Sequence, residues 1–177
     1  MIILNENKDF FNKEYVFRGK HAQYVKALTT TFGKNENYVM FKRNYDVYLL
    51  APIIGFLNKK VAEIDTSSDE TTKIFLEQIL KIKEDVKYNY RLIMLNDKKH
   101  EPDYEERINK AFKYIGTSEG EKDFELFNKY VLGGVEILYE RIIKKAKTSE
   151  DYILNLTEFT KEFDDLYNIE KDLEDMF

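Results

Sequence analysis

The sequence predicts a mainly α-helical protein, a single-domain bundle of five to seven helices with room for two or three short strands in its first 65 residues. Three observations predict it. Apolar side chains recur at three- and four-residue spacing through most of residues 74–166. Only two prolines interrupt 177 residues. Strand-like runs are early and short: "IIL" at 2–4, "EYVF" at 14–17 and "NYVMF" at 37–41.

A first helix is expected from about Arg18. In "GKHAQYVKALTTTF", Tyr24, Leu28 and Phe32 share one face, with Val25 beside them. Gly33 and Asn35 then supply the positive φ that ends many helices. The next helix is "DVYLLAPIIGFLNKK", capped by Asn44 or Asp46. Pro52 lies beyond its first turn, so the helix must kink there or split in two. Asn58, Lys59 and Lys60 suit its C-terminus. The helix is apolar on every side, as one surrounded by others should be. Leu50→Asp is therefore expected to unfold the domain. "VAEID" runs out extended.

"TSSDETT" at 66–72 reads as a loop and helix start. A long helix follows, carrying Ile74, Phe75, Ile79, Leu80, Ile82, Val86, Tyr90, Ile93 and Met94, either unbroken or joined near Lys87. "NDKKHEPD" at 96–103 is a turn, with Pro102 placed for a first helical turn. Tyr104, Ile108, Ala111, Phe112 and Ile115 form the next stripe, ended by Gly116. Phe124, Phe127, Tyr130, Val131, Val135, Leu138 and Ile142 form another. "TSED" at 148–151 caps a last helix through Ile153, Leu156, Phe159, Phe163 and Leu166. "NIEKDLEDMF" closes the chain as an acidic helix or tail. Residues 1–65 form an N-terminal part with a basic patch and a buried kinked helix. Residues 66–177 form a helical bundle with an acidic end, the two making one domain.

Several chemistries are excluded. The absence of cysteine removes disulfides, thiolate metal sites and thiol nucleophiles. The two histidines stand in no recognised ligand spacing, and neither a P-loop, a G-x-G-x-x-G turn nor a G-x-S-x-G elbow occurs. No catalytic residue, metal ligand or cofactor site is nominated, and no cofactor is expected. The longest uncharged run, Val47 to Asn58, is too short to span a bilayer. The start has no signal-peptide pattern, so a cytoplasmic location without membrane contact is expected.

Charge is segregated. Residues 1–60 carry ten basic and five acidic residues; residues 61–177 carry eighteen and twenty-eight. Arg18, Lys20, His21 and Lys26 gather near a helix start, and Lys42 and Arg43 precede the apolar helix. These six are candidate contacts for nucleic acid or a protein partner. The alternative is that they pair with acidic C-terminal helices of the same fold. Pro52, Gly55, Gly133 and Gly134 are candidates for helix packing or a hinge. Two adjacent glycines inside a periodic helix cost about 1 kcal/mol each against alanine, which calls for close packing, a kink or a break.

Three stretches carry a family likeness: "RGKHAQYVKALT", "FKRNYDVYLLAPIIGF" and "FNKYVLGGVEILYE". The matching residues are Arg18, Lys20, His21, Tyr24 and Leu28, then Phe41, Asp46, Val47, Tyr48, Leu50, Ala51, Gly55 and Phe56, then Tyr130, Gly133, Gly134 and Leu138. Together they resemble the small accessory proteins encoded beside bacterial DNA-phosphorothioation (Dnd) and related phage-defence systems. Pro52 and the Leu57–Asn58 pair depart from that pattern. The resemblance implies a non-enzymatic accessory subunit in antiviral defence, bound to larger nuclease, ATPase or SMC-like subunits, with no catalytic residues to carry over. A nucleic-acid-binding module on the basic patch is one alternative, with DNA as its partner. A nucleotide or small-molecule sensor with a pocket near Gly133–Gly134 and Pro52 is another. The sequence leaves open a homo-oligomer.

Overall fold

The computed structural model of the protein describes residues 9–32 and 38–174, with side chains described as far as residue 165. Among these residues are six α-helices and four short strands, so the fold is mostly α as expected. The order is β1 (Tyr15–Arg18), α1 (Gly19–Leu28), β2 (Thr31–Phe32), β3 (Tyr38–Val39), α2 (Asn44–Leu57), β4 (Thr71–Ile74), α3 (Leu76–Asn96), α4 (Tyr104–Ile108), α5 (Glu121–Leu138) and α6 (Ser149–Glu174). Helices α4 and α5 each run on into a π turn, Asn109–Lys113 and Tyr139–Ile143.

The centre is the pair α2 and α5; α1 and α3 pack against both, α4 packs on α3, and α6 packs on the π turn that follows α5. Helix α2 is continuous through Pro52, so of the two expected outcomes, a kink or a split, the split does not occur. Asp46 accepts from the Arg43 backbone N–H at 3.0 Å, which fixes the start of the helix. Lys59 adopts φ 53° just past its end. One flank of α2 is less covered than its composition suggests. Leu50 is 38% exposed and Leu57 53%. Both line an apolar groove of about 310 Å³, facing Leu156 and Phe159 of α6. Leu50 is thus not enclosed, and the expectation that Leu50→Asp unfolds the domain loses its basis.

An aromatic cluster fills the far side of the core. Phe11 meets Tyr90 and Phe124 edge-on at 5.6 and 5.3 Å, and Tyr90 meets Phe127 at 5.5 Å. Such geometry contributes beyond area burial.

The strands depart from expectation in one respect. "EYVF" yields β1, but its partner is β4, within and just after the stretch read as a loop and helix start. The two are antiparallel, Tyr15 facing Ile74 and Arg18 facing Thr71. "TTKI" has β-branched residues and alternates exposed and covered positions, a strand signal hidden by the polar residues before it. The ribbon of β2 and β3 takes Phe32, which was expected on α1. Thr29 ends that helix early: its hydroxyl donates to the Val25 carbonyl at 2.9 Å, competing with helical continuation. Pro102 lies just before the α4 cap, Asp103, and not inside its first turn. The "IIL" run and the helix stop at Gly33 and Asn35 fall outside the described residues.

Candidate functional site

Helix α1 begins with Gly19 at φ +55°, a conformation that brings the chain against Asp65. The Asp65 carboxylate accepts from the Lys20 backbone N–H at 2.5 Å and from the Ser67 hydroxyl at 2.9 Å. The Lys20 hydrogen bond leads in holding the Asp65 carboxyl below the ordinary aspartate value. An acid 45 residues away thus caps a helix whose own cap position, Arg18, makes no side-chain cap.

This cap points the next two side chains at α5. Lys20 Nζ lies 2.8 Å from Glu136 Oε1, and His21 Nε2 lies 3.1 Å from the same oxygen. Lys60 Nζ approaches the other carboxylate oxygen at 3.2 Å. Burial alone pushes the Glu136 carboxyl up, but Lys20 and then Lys60 outweigh it and hold the group below the ordinary glutamate range. His21 is fully buried. Burial pushes its imidazole below the usual value, and Glu136 only partly offsets this. A carboxylate needs a donor, so Nε2 carries the proton, and Nδ1 is buried without a partner among the described residues. Protonating Nδ1 would bury an unsatisfied N–H together with a charge, which explains the neutral preference.

The four packing candidates meet one turn away. A Cβ on Gly134 would stand 1.8 Å from the Ala51 carbonyl oxygen, and one on Gly55 would stand 2.1 Å from the Tyr130 carbonyl oxygen. A Cβ on Gly133 would strike the Lys60 carbonyl oxygen at 2.1 Å. Backbone meets backbone here, and α5 passes both glycines without a break. Pro52 is buried in the same contact region of α2.

The six basic candidates do not form one patch. Lys20 and His21 are drawn to Glu136, and Lys26 pairs with Glu70. Arg18, Lys42 and Arg43 are exposed. The Phe41 N–H donates to the Leu28 carbonyl, so Lys42 and Arg43 follow from the C-terminal end of α1. Lys20 and His21 sit toward the opposite end, about 12 Å or less along the helix. The acids that neutralise Lys20, Lys60 and Lys26 come from α5 and the segment before β4, not from α6. Helix α6 instead pairs Glu162 with Arg141.

A second polar cluster escaped sequence reasoning. Buried Asp97 follows α3 and accepts from the Tyr130 hydroxyl at 2.8 Å; the same oxygen lies 2.8 Å from His100 Nδ1. Buried Arg107 donates to the carbonyls of Leu95, Glu101 and Pro102 and so locks the loop that carries Asp97 and His100. Glu136 had a readable signal, a lone acid on the apolar stripe of α5, three residues after Gly133. Asp97 had none, being one of several acids around a turn.

Among the described residues no helix is long and apolar enough to cross a membrane. No curated protein and no solved structure matches the chain. The family model described as DNA sulphur modification system-associated protein 4 matches residues 18–176, a span that holds all three stretches on which the Dnd likeness rests. With only the first seventeen residues and the last one outside the match, the chain belongs to the DNA sulphur modification system-associated protein 4 family.

Proposed function

We propose that the protein is a non-enzymatic accessory subunit of a bacterial anti-phage defence complex, docking on a larger nuclease, ATPase or SMC-like subunit. Membership in a family associated with DNA sulphur modification supplies the setting. The observation that carries the docking role is an apolar stripe turned outward. Tyr104, Ile108 and Phe112, expected to face a core, are 63%, 36% and 55% exposed. On the neighbouring face of α3, Tyr88 and Leu92 are exposed too. Arg91 of α3 lies 5.4 Å from the Phe112 ring and joins the two faces. Exposed apolar side chains grouped in this way mark protein interaction surfaces, and aromatic side chains with arginine dominate binding energy at such surfaces. The buried carboxylates fit a scaffold role: Glu136, Asp97 and Asp123 are each engaged by donors of the same chain.

Co-expression with the subunits encoded beside it tests the proposal. A stable complex is expected, and Tyr88→Asp with Phe112→Asp should abolish it without lowering the melting temperature. A chain that remains alone with every neighbour overturns the docking role.

A second reading is a nucleic-acid contact through Arg18, Lys42 and Arg43, which are exposed and without a carboxylate partner among the described residues. Such binding would weaken steeply with salt as counterions are released. Absence of a mobility shift with duplex or single strands at low salt removes it.

A further inference from the structure

The ends of α2 and α3 meet the middle of α5 around a cavity of about 400 Å³ that neither the docking face nor the Glu136 cluster uses. That volume lies within the range of small-molecule sites. Its lining combines three kinds of surface.

The first is aromatic. Phe56 is half-buried and stands edge-on to Tyr130, with ring centroids 5.6 Å apart at 86°. A flat ring can lie against such a wall. The second is a buried polar floor. Tyr130 is 3% exposed and Asp97 5%. The Tyr130 hydroxyl donates to Asp97 at 2.8 Å, and its oxygen also lies 3.3 Å from His100 Nδ1, so the floor is held rigid by its own hydrogen bonds. The third is cationic. Lys59, Lys98 and Lys99 all line the cavity, and none has a carboxylate partner among the described residues. Their charge is uncommitted, in contrast to that of Lys20, Lys26 and Lys60. Lys59 also holds a left-handed backbone conformation for which glycine or asparagine is the ordinary choice. The one acid in the lining, Asp97, is already engaged by Tyr130 and His100.

We propose that this cavity binds a phosphorylated nucleoside, with the base against Phe56 and Tyr130 and the phosphate held by Lys59, Lys98 and Lys99. The ring wall suits a planar heterocycle, and the lysines suit a phosphate. The nucleoside could be a free mononucleotide or the phosphorylated end of a strand, since both present the same group.

Titration calorimetry on the full chain tests this with the four nucleoside 5′-monophosphates, adenosine, inorganic phosphate, and one short DNA strand carrying either a 5′-phosphate or a 5′-hydroxyl. At least one monophosphate or the phosphorylated strand should bind saturably. Adenosine and inorganic phosphate should bind about tenfold more weakly or not at all. Lys98→Glu with Lys99→Glu should reduce binding about tenfold or more. Both lysines are exposed, so the melting temperature should hold. Tighter binding of the phosphorylated strand assigns the ligand to a strand end, and tighter binding of a monophosphate assigns it to the free pool. No saturable binding by any probe overturns the proposal. So does equal binding of inorganic phosphate, equal binding of the 5′-hydroxyl strand, or binding unmoved by the lysine changes.

Discussion

Helix α5 holds two neighbours in two different ways within a single turn. At Gly133 and Gly134 it meets α2 and the chain after it through bare backbone, where even one methyl group has no room. At Glu136 it meets α1 and Lys60 through charge, with a carboxylate shared among two lysines and a histidine. The first contact is set by shape and is independent of pH and salt. The second depends on protonation, and two of its partners, Lys20 and Lys60, reach out to solvent. Dispersion and burial therefore fix the central helix pair, while electrostatics orients the element attached to its side.

The sharpest way to break this contrast is Gly134→Leu. Its side chain would begin 1.8 Å from a backbone oxygen of α2, which no rotamer can relieve. A loss of about 3 kcal/mol or more is expected, read as a large drop in chemical-denaturation midpoint. A near-normal midpoint would mean that the helices do not approach this closely. Glu136→Ala should do less. It strands buried His21 without an acceptor, but the half-exposed lysines regain water, so about 2 kcal/mol is expected. The same melt with Lys20→Ala and Lys60→Ala should show smaller losses, and a larger loss for either would relocate the anchor.

Acid gives the smallest and most selective effect. Burial holds His21 below its ordinary value of 6.5. As pH falls through 6.5, the unfolded chain takes up a proton that the folded chain refuses, and stability declines until the folded imidazole titrates as well. Glu136 is held below 4.5, so its share is lost at lower pH, when the unfolded glutamate protonates first. The stability from both groups is complete above about pH 6.5 and erodes in two stages below it. His21→Gln should remove the upper stage in melting curves and keep the lower. A profile unchanged by that substitution would show that His21 does not titrate as placed.

Helices were legible because burial on one face imposes the 3.6-residue period, and that period survives in α3, α5 and α6. The glycine pair was legible as close packing, since its cost in an isolated helix demands compensation. What remained hidden depended on partners distant in sequence. Strand β4 is four residues long and becomes a strand only by pairing with β1. The stripe of Tyr104, Ile108 and Phe112 has the same period as a core stripe, and periodicity cannot say which side faces water. Lys20 and His21 were read as candidate contacts for nucleic acid or a partner, and the groups they meet within the chain, Asp65 and Glu136, lie 45 and 115 positions away. The cavity between α2, α3 and α5 is assembled from three helix segments, none of which carries a motif.

The β1–β4 ribbon has a consequence for any attempt to divide the molecule. A cut in the exposed stretch between Asp65 and Thr71 would separate a basic fragment from an acidic one, and each would hold half of a two-stranded pairing. It would also leave Asp65 on the fragment whose helix it caps, and Glu136 on the other. The junction that composition marks as a seam is where the halves are stitched, so the fragments should reassemble when mixed and neither should fold by itself.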